Sequence, residues 1–270
     1  MLPAYREVVE QRRLSDRPEQ RAALALLMAF QFLRTKAHRD RWQALEEETV
    51  KMVEGAGGRM QDVQGWEGWE PSTENTLKRE HLTSIQGSFG EFAQIIGAKD
   101  FVLAEPAPGR SFYLGDNPVS LANSRDFGPY GNLGIALPGI EVYMPLAADL
   151  MLCAWCPSIL AEISERHHRG KRDRRAEALG QVVAGRLSPA EMKRLLEQFE
   201  SLEQPHEEFL AATAEGRPVS SSSDNIDYYN GLQTTWAYRY VISRDGDFSL
   251  AQRANRENPS LRRGRRLRAA

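Results

Sequence analysis

Apolar residues in the first hundred positions recur every three or four residues, the period of a helix with one buried face. Pro18 suits a first helical position after Ser15 or Asp16, and Leu24, Leu27, Met28, Phe32 and Leu33 then fall on one such face. Trp42, Leu45, Val50 and Val53 repeat the pattern more weakly until Gly55-Ala-Gly-Gly58 stops it. After a polar, Trp-containing loop at 59–71, the helical step resumes with Leu77, His81, Ile85, Phe89, Phe92 and Ile96. Then the period changes. Phe101–Leu103, Phe112–Leu114, Val119–Leu121, Glu141–Met144 and Leu150–Trp155 are short, apolar or alternating, and separated by Pro and Gly, as strands are. A glycine-rich excursion occupies 122–139.

Helical spacing returns over 158–215, with a break expected in the charged run 167–175. Ser188-Pro-Ala-Glu191 carries the Ser and Glu of a capping box. Ser220–Asp224 caps a last helix bearing Ile226, Tyr229, Leu232, Trp236 and Tyr240. No repeat or linker divides the chain. The predicted fold is α+β, with one domain over 1–245: helical at 1–98, strand-rich at 99–156 and helical again at 157–240. A small, mostly antiparallel sheet is expected at about 99–156, packed with helices from both ends. Residues 246–270 read as an irregular basic tail.

Composition changes this picture little. Apolar residues at 41% and charged residues at 27% of 270 suit a chain with a buried core. The net charge of −2 conceals basic clusters at 166–175 and 253–268, so the remainder is more acidic than the total. The longest apolar run, Ala22–Phe30, is well short of the roughly 20 residues that span a bilayer. The first fourteen residues lack the separate apolar segment of a signal peptide. A cytoplasmic protein with no membrane contact is expected. Cys153 and Cys156 form a C-x-x-C, but no second pair completes a zinc site. Their place in an apolar run favours structural cysteines over a redox pair.

Candidate chemistry centres on Phe112-Tyr-Leu-Gly-Asp-Asn-Pro-Val119. Pro118 biases Asn117 toward an extended conformation, and Asp and Asn side chains satisfy turn backbone, so a structural turn explains the segment. The alternative is a strand end that presents Asp116 and Asn117 to a ligand or divalent metal. Glu141, opening the strand after the glycine-rich loop, would be the second acid of an oxygen-ligated metal site. Restriction-type nucleases add a lysine two residues further on; Tyr143 stands there instead. His81 lies on an apolar helix face and reads as a hydrogen-bonded core histidine. Nucleotide-binding loops and the common hydrolase motifs are absent. Arg166–Arg175 and Arg262–Arg268 are arginine clusters of the kind that engage phosphate, without interleaved aromatics to stack on bases.

Several segments, taken in order, resemble the bacterial family known as domain of unknown function 4238. They are the helix ending Gln31-Phe-Leu-Arg-Thr35, the His81 helix leading to Phe101, and Gly-Asp-Asn-Pro-Val at 115–119. Ile140-Glu-Val-Tyr-Met-Pro-Leu146, an Asn-containing helix and Tyr240-Val-Ile-Ser243 follow. The resemblance spans about 17–245. Family members usually carry a His-Tyr-Val-Pro-like segment ahead of the first helices; this chain does not, so a shortened member or a late start is expected. The resemblance brings no activity with it. Within the matching segments Arg34, His81, Asp116, Asn117, Glu141, Asn225 and Asn230 are polar in apolar surroundings. Burying such groups is costly unless they are satisfied, so they are candidates for one network, with Arg34 or Arg239 meeting anionic charge. Three functions are weighed, the first two being a binding or regulatory protein whose basic segments engage nucleic acid or an acidic partner, and a metal-assisted hydrolase using Asp116 and Glu141. A structural or assembly role is the third.

Overall fold

Side chains alternate between the two faces of a strand, so a strand apolar throughout must be covered on both sides. Leu150–Trp155 is such a strand, and all six of its residues are buried. The computed structural model describes residues 1–127 and 133–263, apart from the side chains of residues 41, 42, 262 and 263. Helices α1 (Leu2–Gln11), α2 (Pro18–Leu33), α3 (Lys36–Gly55) and α4 (Glu74–Gly97) come first. Strands β1 (Asp100–Pro106), β2 (Leu114–Gly115), β3 (Ser120–Asn123), β4 (Ile140–Ala147) and β5 (Leu150–Trp155) follow. The remaining elements are α5 (Pro157–Val183), α6 (Pro189–Ala214), β6 (Val219–Ser221), α7 (Ser223–Trp236), β7 (Val241–Ile242) and α8 (Ser249–Glu257).

The main sheet has the order β3-β4-β5-β1-β6. Its neighbours are antiparallel except β1 and β6. On one face Leu103, Leu121, Val142, Met144 and Leu152 pack beneath Leu24, Met28 and Phe32 of α2 and Ile96 of α4. On the other, Val102, Tyr143, Met151, Cys153 and Trp155 meet Ile163 of α5, Phe209 and Ala212 of α6, and Ile226 and Tyr229 of α7. The expected α+β fold, a central sheet covered by helices from both ends, is what the chain adopts. Among the described residues no helix is long and apolar enough to cross a membrane.

Three local expectations give way. The break at 167–175 is absent, because α5 runs unbroken from Pro157 to Val183. Its basic residues meet acids on the surface: Lys171 pairs with Glu207, Arg174 with Glu203, and Arg169 with Glu165. The chain turns later, at Gly185, whose φ of 68° favours glycine, just before the Ser188–Glu191 capping box. Residues 246 onward are not wholly irregular, since α8 packs against α7 and the Asp247 carboxylate accepts the Ser249 amide at its start. The predicted strand at Phe112–Leu114 pairs only at Leu114 and Gly115, with β7.

What replaces the missing ladder is α7. It starts beside β6 at one sheet edge and ends beside β3 at the other. Fourteen residues rise about 21 Å, close to the roughly 19 Å across five strands. Asn230, Gln233 and Trp236, three apart, share one face of α7 and bond the segment 111–121. Asn230 accepts the Tyr113 amide at 2.7 Å and donates to the Ser111 carbonyl at 3.0 Å. Gln233, wholly buried, accepts the Gly115 amide at 3.0 Å and donates to the Pro118 carbonyl at 2.9 Å. The Trp236 indole donates to the Leu121 carbonyl at 3.1 Å. The approach is close: a Cβ at position 115 would lie 3.2 Å from the Gln233 carbonyl oxygen.

Gln233→Leu keeps similar bulk but leaves the Gly115 amide and Pro118 carbonyl without partners. At about 1–3 kcal/mol for each unsatisfied buried group, urea unfolding should show a loss of about 3 kcal/mol or more. Asn225→Ala, on the exposed side of the same helix, should change stability by less than about 0.5 kcal/mol.

Candidate functional site

The loop after β2 is built by its own polar residues. The Asp116 carboxylate accepts the amides of Tyr238 at 2.7 Å and Arg239 at 3.0 Å, while the Asp116 amide donates to the Tyr240 carbonyl at 3.0 Å. Asn117 is buried and donates to the Trp236 carbonyl at 3.0 Å; its side-chain oxygen has no hydrogen-bond partner among the described residues. These bonds tie the C-terminal end of α7 to the strand segment. The structural-turn reading of Gly-Asp-Asn-Pro accounts for the Asp116 carboxylate and the Asn117 amide nitrogen, not for the Asn117 side-chain oxygen.

That loop is also one wall of a cleft of about 430 Å³. Leu2 and Tyr5 of α1, Leu27 of α2, Met144 and Leu146 of β4, and Ile242 of β7 make it mostly apolar. Gln31, Arg34 and Asp116 supply its polar groups. The Tyr5 hydroxyl donates to the Leu146 carbonyl at 2.7 Å, which fixes α1 over the end of β4. Arg34 is exposed and gives its Nε to the Gln31 side chain at 2.7 Å, leaving its two terminal nitrogens without a partner among the described residues. Nearby, Lys36 pairs with Asp40 and lies 4.8 Å over the Tyr238 ring. The Asp40 hydrogen bond, with Tyr238, raises the Lys36 pKa above that of a free lysine. Arg239 is exposed and lies 5.5 Å over the same ring. A smaller hollow of about 160 Å³ shares Leu114, Pro145, Leu146 and Ile242 with the cleft and ends at Arg244.

Glu141 lies elsewhere. Met144 and Leu146, which line the cleft, point to the α2 face, whereas Glu141 and Tyr143 point to the opposite face of the same strand. Asp116 and Glu141 are therefore on opposite sides of the sheet and do not share one ion. Among the described residues no cluster of three or more His, Cys, Asp or Glu side chains could hold a metal. The Tyr143 hydroxyl donates to the Glu141 carboxylate. Burial raises the Glu141 pKa against that hydrogen bond, and burial beside the Glu141 charge pushes Tyr228 to about 12.

The other candidates are structural in their contacts. The His81 ring bonds the Leu33 carbonyl at 2.7 Å beneath the α2–α3 turn and stands 5.8 Å from the His38 ring. Asn225 is exposed, and its backbone amide is capped by Ser222. Of the eight residues singled out, the cleft gathers Arg34 and Asp116, with Arg239 on the adjoining loop. Asn117 and Asn230 support it from behind, and His81, Glu141 and Asn225 stand apart. Sequence reasoning missed Tyr5, Gln31, Met144 and Gln233. Only Gln233 carried a signal, as a polar residue three positions after Asn230 on an otherwise apolar helix.

The basic segments divide. Within Arg166–Arg175, Arg169, Lys171, Arg174 and Arg175 all pair with glutamates, three of them on α6. Exposed pairs of this kind contribute little stability, but they offset four of the six basic side chains in the run. The predicted Arg262–Arg268 cluster lies outside the described side chains.

Comparisons with curated proteins and with solved structures each find no match. A family model described as "Protein of unknown function (DUF4238)" matches residues 2–247.

Glu141 generates a pH dependence whose sign follows from its raised folded pKa. Its contribution to stability is complete below the unfolded carboxylate value, about 4.3, and is lost as pH rises through the folded value. Glu141→Gln keeps an acceptor for Tyr143 and removes the titration. The variant should unfold at higher urea than wild type near pH 8, with the difference closing near pH 4.

Proposed function

This chain belongs to the DUF4238 family, and we propose that it is a binding protein for a small apolar molecule carrying an anionic group. The observation that carries this reading is the cleft between α1, α2 and β4, with Arg34 at its polar side, its two terminal guanidinium nitrogens without a partner among the described residues. Its volume falls within the roughly 300–1,000 Å³ of small-molecule sites, which are mostly apolar with a few placed polar groups. Asp116 is not the attacking or metal-holding group in this reading, because both carboxylate oxygens already accept backbone amides. Its role is to hold the loop that forms the wall.

The same geometry favours a small ligand over nucleic acid or an acidic protein docked on α5. Phosphate binding by arginine clusters needs cations free to release counterions, and four of the six cations in 166–175 pair with glutamates. Arg34, Lys36 and Arg239 are the cations gathered near the cleft, and Arg34 among them reaches it directly.

Anilinonaphthalene sulfonate, an apolar anion, serves as the probe. Wild type should enhance its fluorescence saturably. Arg34→Ala should weaken binding about tenfold, the equivalent of about 1.4 kcal/mol for one charge-assisted contact. Leu114→Trp should fill the cleft and abolish binding. Equal binding by wild type and both folded variants would overturn the proposal.

A further inference from the structure

A further hollow, of about 280 Å³, lies between the turn after β1, α7 and the segment running from β7 into α8. Its character is the reverse of the cleft's. Ser111, Tyr113 and Asn230, all buried, form part of its lining. Burying polar groups is costly unless they are satisfied, and empty cavities are apolar while polar ones hold water or a ligand. The hollow and the cleft share no lining residue. Leu114 and Ile242 line the cleft, and their chain neighbours Tyr113 and Ser243 line the hollow. The β2–β7 ladder is the partition between them.

The walls are tied to one another. Gly109, at a φ of 79°, turns the chain out of β1, and Arg110 then pairs with Asp227 of α7. The Tyr113 hydroxyl donates to the Asp247 carbonyl at 2.8 Å, and the Tyr113 ring stands 6.2 Å from that of Phe248 at the start of α8. Asn230 bonds the backbone of Ser111 and Tyr113 from α7. A ligand entering the hollow therefore meets a preformed site, which lowers the ordering cost of binding.

What these ties leave open is charge of both signs. Arg110 and Asp227 neutralise each other. One Asp247 oxygen accepts the Ser249 amide at 2.8 Å, and that bond holds the carboxyl below its ordinary value, so Asp247 is ionised at neutral pH. The Asp245 carboxylate and the Arg253 guanidinium line the hollow without a partner among the described residues. Ser243 lines it too, and its hydroxyl oxygen is buried without a hydrogen-bond partner among the described residues. An unsatisfied buried group is destabilising, and a polar ligand beside Ser243 would supply the partner.

The charges choose the class of ligand. A simple anion would meet Asp245 and Asp247, and a simple cation would meet Arg253. A molecule carrying both signs finds a complement to each. No cluster of acids, cysteines or histidines among the described residues could hold a metal ion there. The volume is just under the roughly 300–1,000 Å³ of drug-sized sites, which suits a metabolite the size of one amino acid.

We propose that this hollow binds a free α-amino acid, its ammonium held by the Asp245 and Asp247 carboxylates and its carboxylate by Arg253. The guanidinium fork matches a carboxylate with two parallel hydrogen bonds. Ser111 and Ser243 are left to face the ligand's side chain. The site is independent of the apolar cleft and of what the cleft binds.

The test titrates the full chain with the standard amino acids, one at a time, by isothermal titration calorimetry. The tightest binder is then compared with its α-amide, which lacks the carboxylate, and its N-acetyl derivative, which lacks the ammonium. The expected result is saturable one-to-one binding of at least one amino acid, weakened about tenfold or more in each derivative. Asp245→Asn and Arg253→Gln, both at exposed positions, should each weaken it about tenfold with an unchanged circular dichroism spectrum. Binding of no amino acid by folded wild type, a derivative bound as tightly as its parent, or an affinity unchanged in either folded variant would overturn the proposal.

Discussion

The structure depends on a helix doing the work of a strand. Residues 111–119, ahead of β3, have few ladder bonds of their own, and buried backbone amides and carbonyls must be satisfied somehow. Asn230, Gln233 and Trp236 supply those partners from one face of α7. Because α7 spans the sheet from β6 to β3, the same helix covers the core with Ile226 and Tyr229 and fixes the loop that Asp116 and Asn117 close. Misplacing α7 would disturb the core face, the Gly115 approach and the cleft wall together.

The layering separates the chemistry. The face beneath α1 and α2 opens at its edge into an apolar cleft with cations near it. The face beneath α5, α6 and α7 holds the Glu141–Tyr143 pair and the buried Cys153, while Cys156 stands where β5 passes into α5. A one-residue step along β4, from Tyr143 to Met144, moves a side chain from one environment to the other. Two carboxylates close in a sequence listing can thus be unrelated in space.

Much of this was legible before any coordinates. The periodicities located α2, α4, β1, β4 and β5, and the apolar run Leu150–Trp155 implied cover on both sides. What misled were long-range partners. The basic run 167–175 reads as a helix break only until the glutamates of α6 are placed beside it. Leu114–Gly115 finds β7, and Val219–Ser221 finds β1, across more than a hundred residues of chain. Asp116 and Asn117 were visible as important, but their partners at 236–239 were not, so a ligand-binding reading stayed open beside the favoured structural turn. The cleft was hidden because its walls come from α1, α2, β4 and β7, and no local spacing joins Tyr5 to Met144. Cys156 was read with the apolar run of Leu150–Trp155 although Pro157, a first-helical-position residue, marks the start of α5 directly after it.

Native-state amide hydrogen exchange tests the central claim most directly. If α7 side chains hold the 111–121 segment, the amides of Tyr113 and Gly115 should exchange with the same opening free energy as the amides in the middle of α7, as one cooperative unit. The Tyr238 and Arg239 amides, bonded to Asp116, should belong to that unit. Rapid exchange at Tyr113 and Gly115 while α7 stays protected would contradict the account, because the segment would then open without the helix.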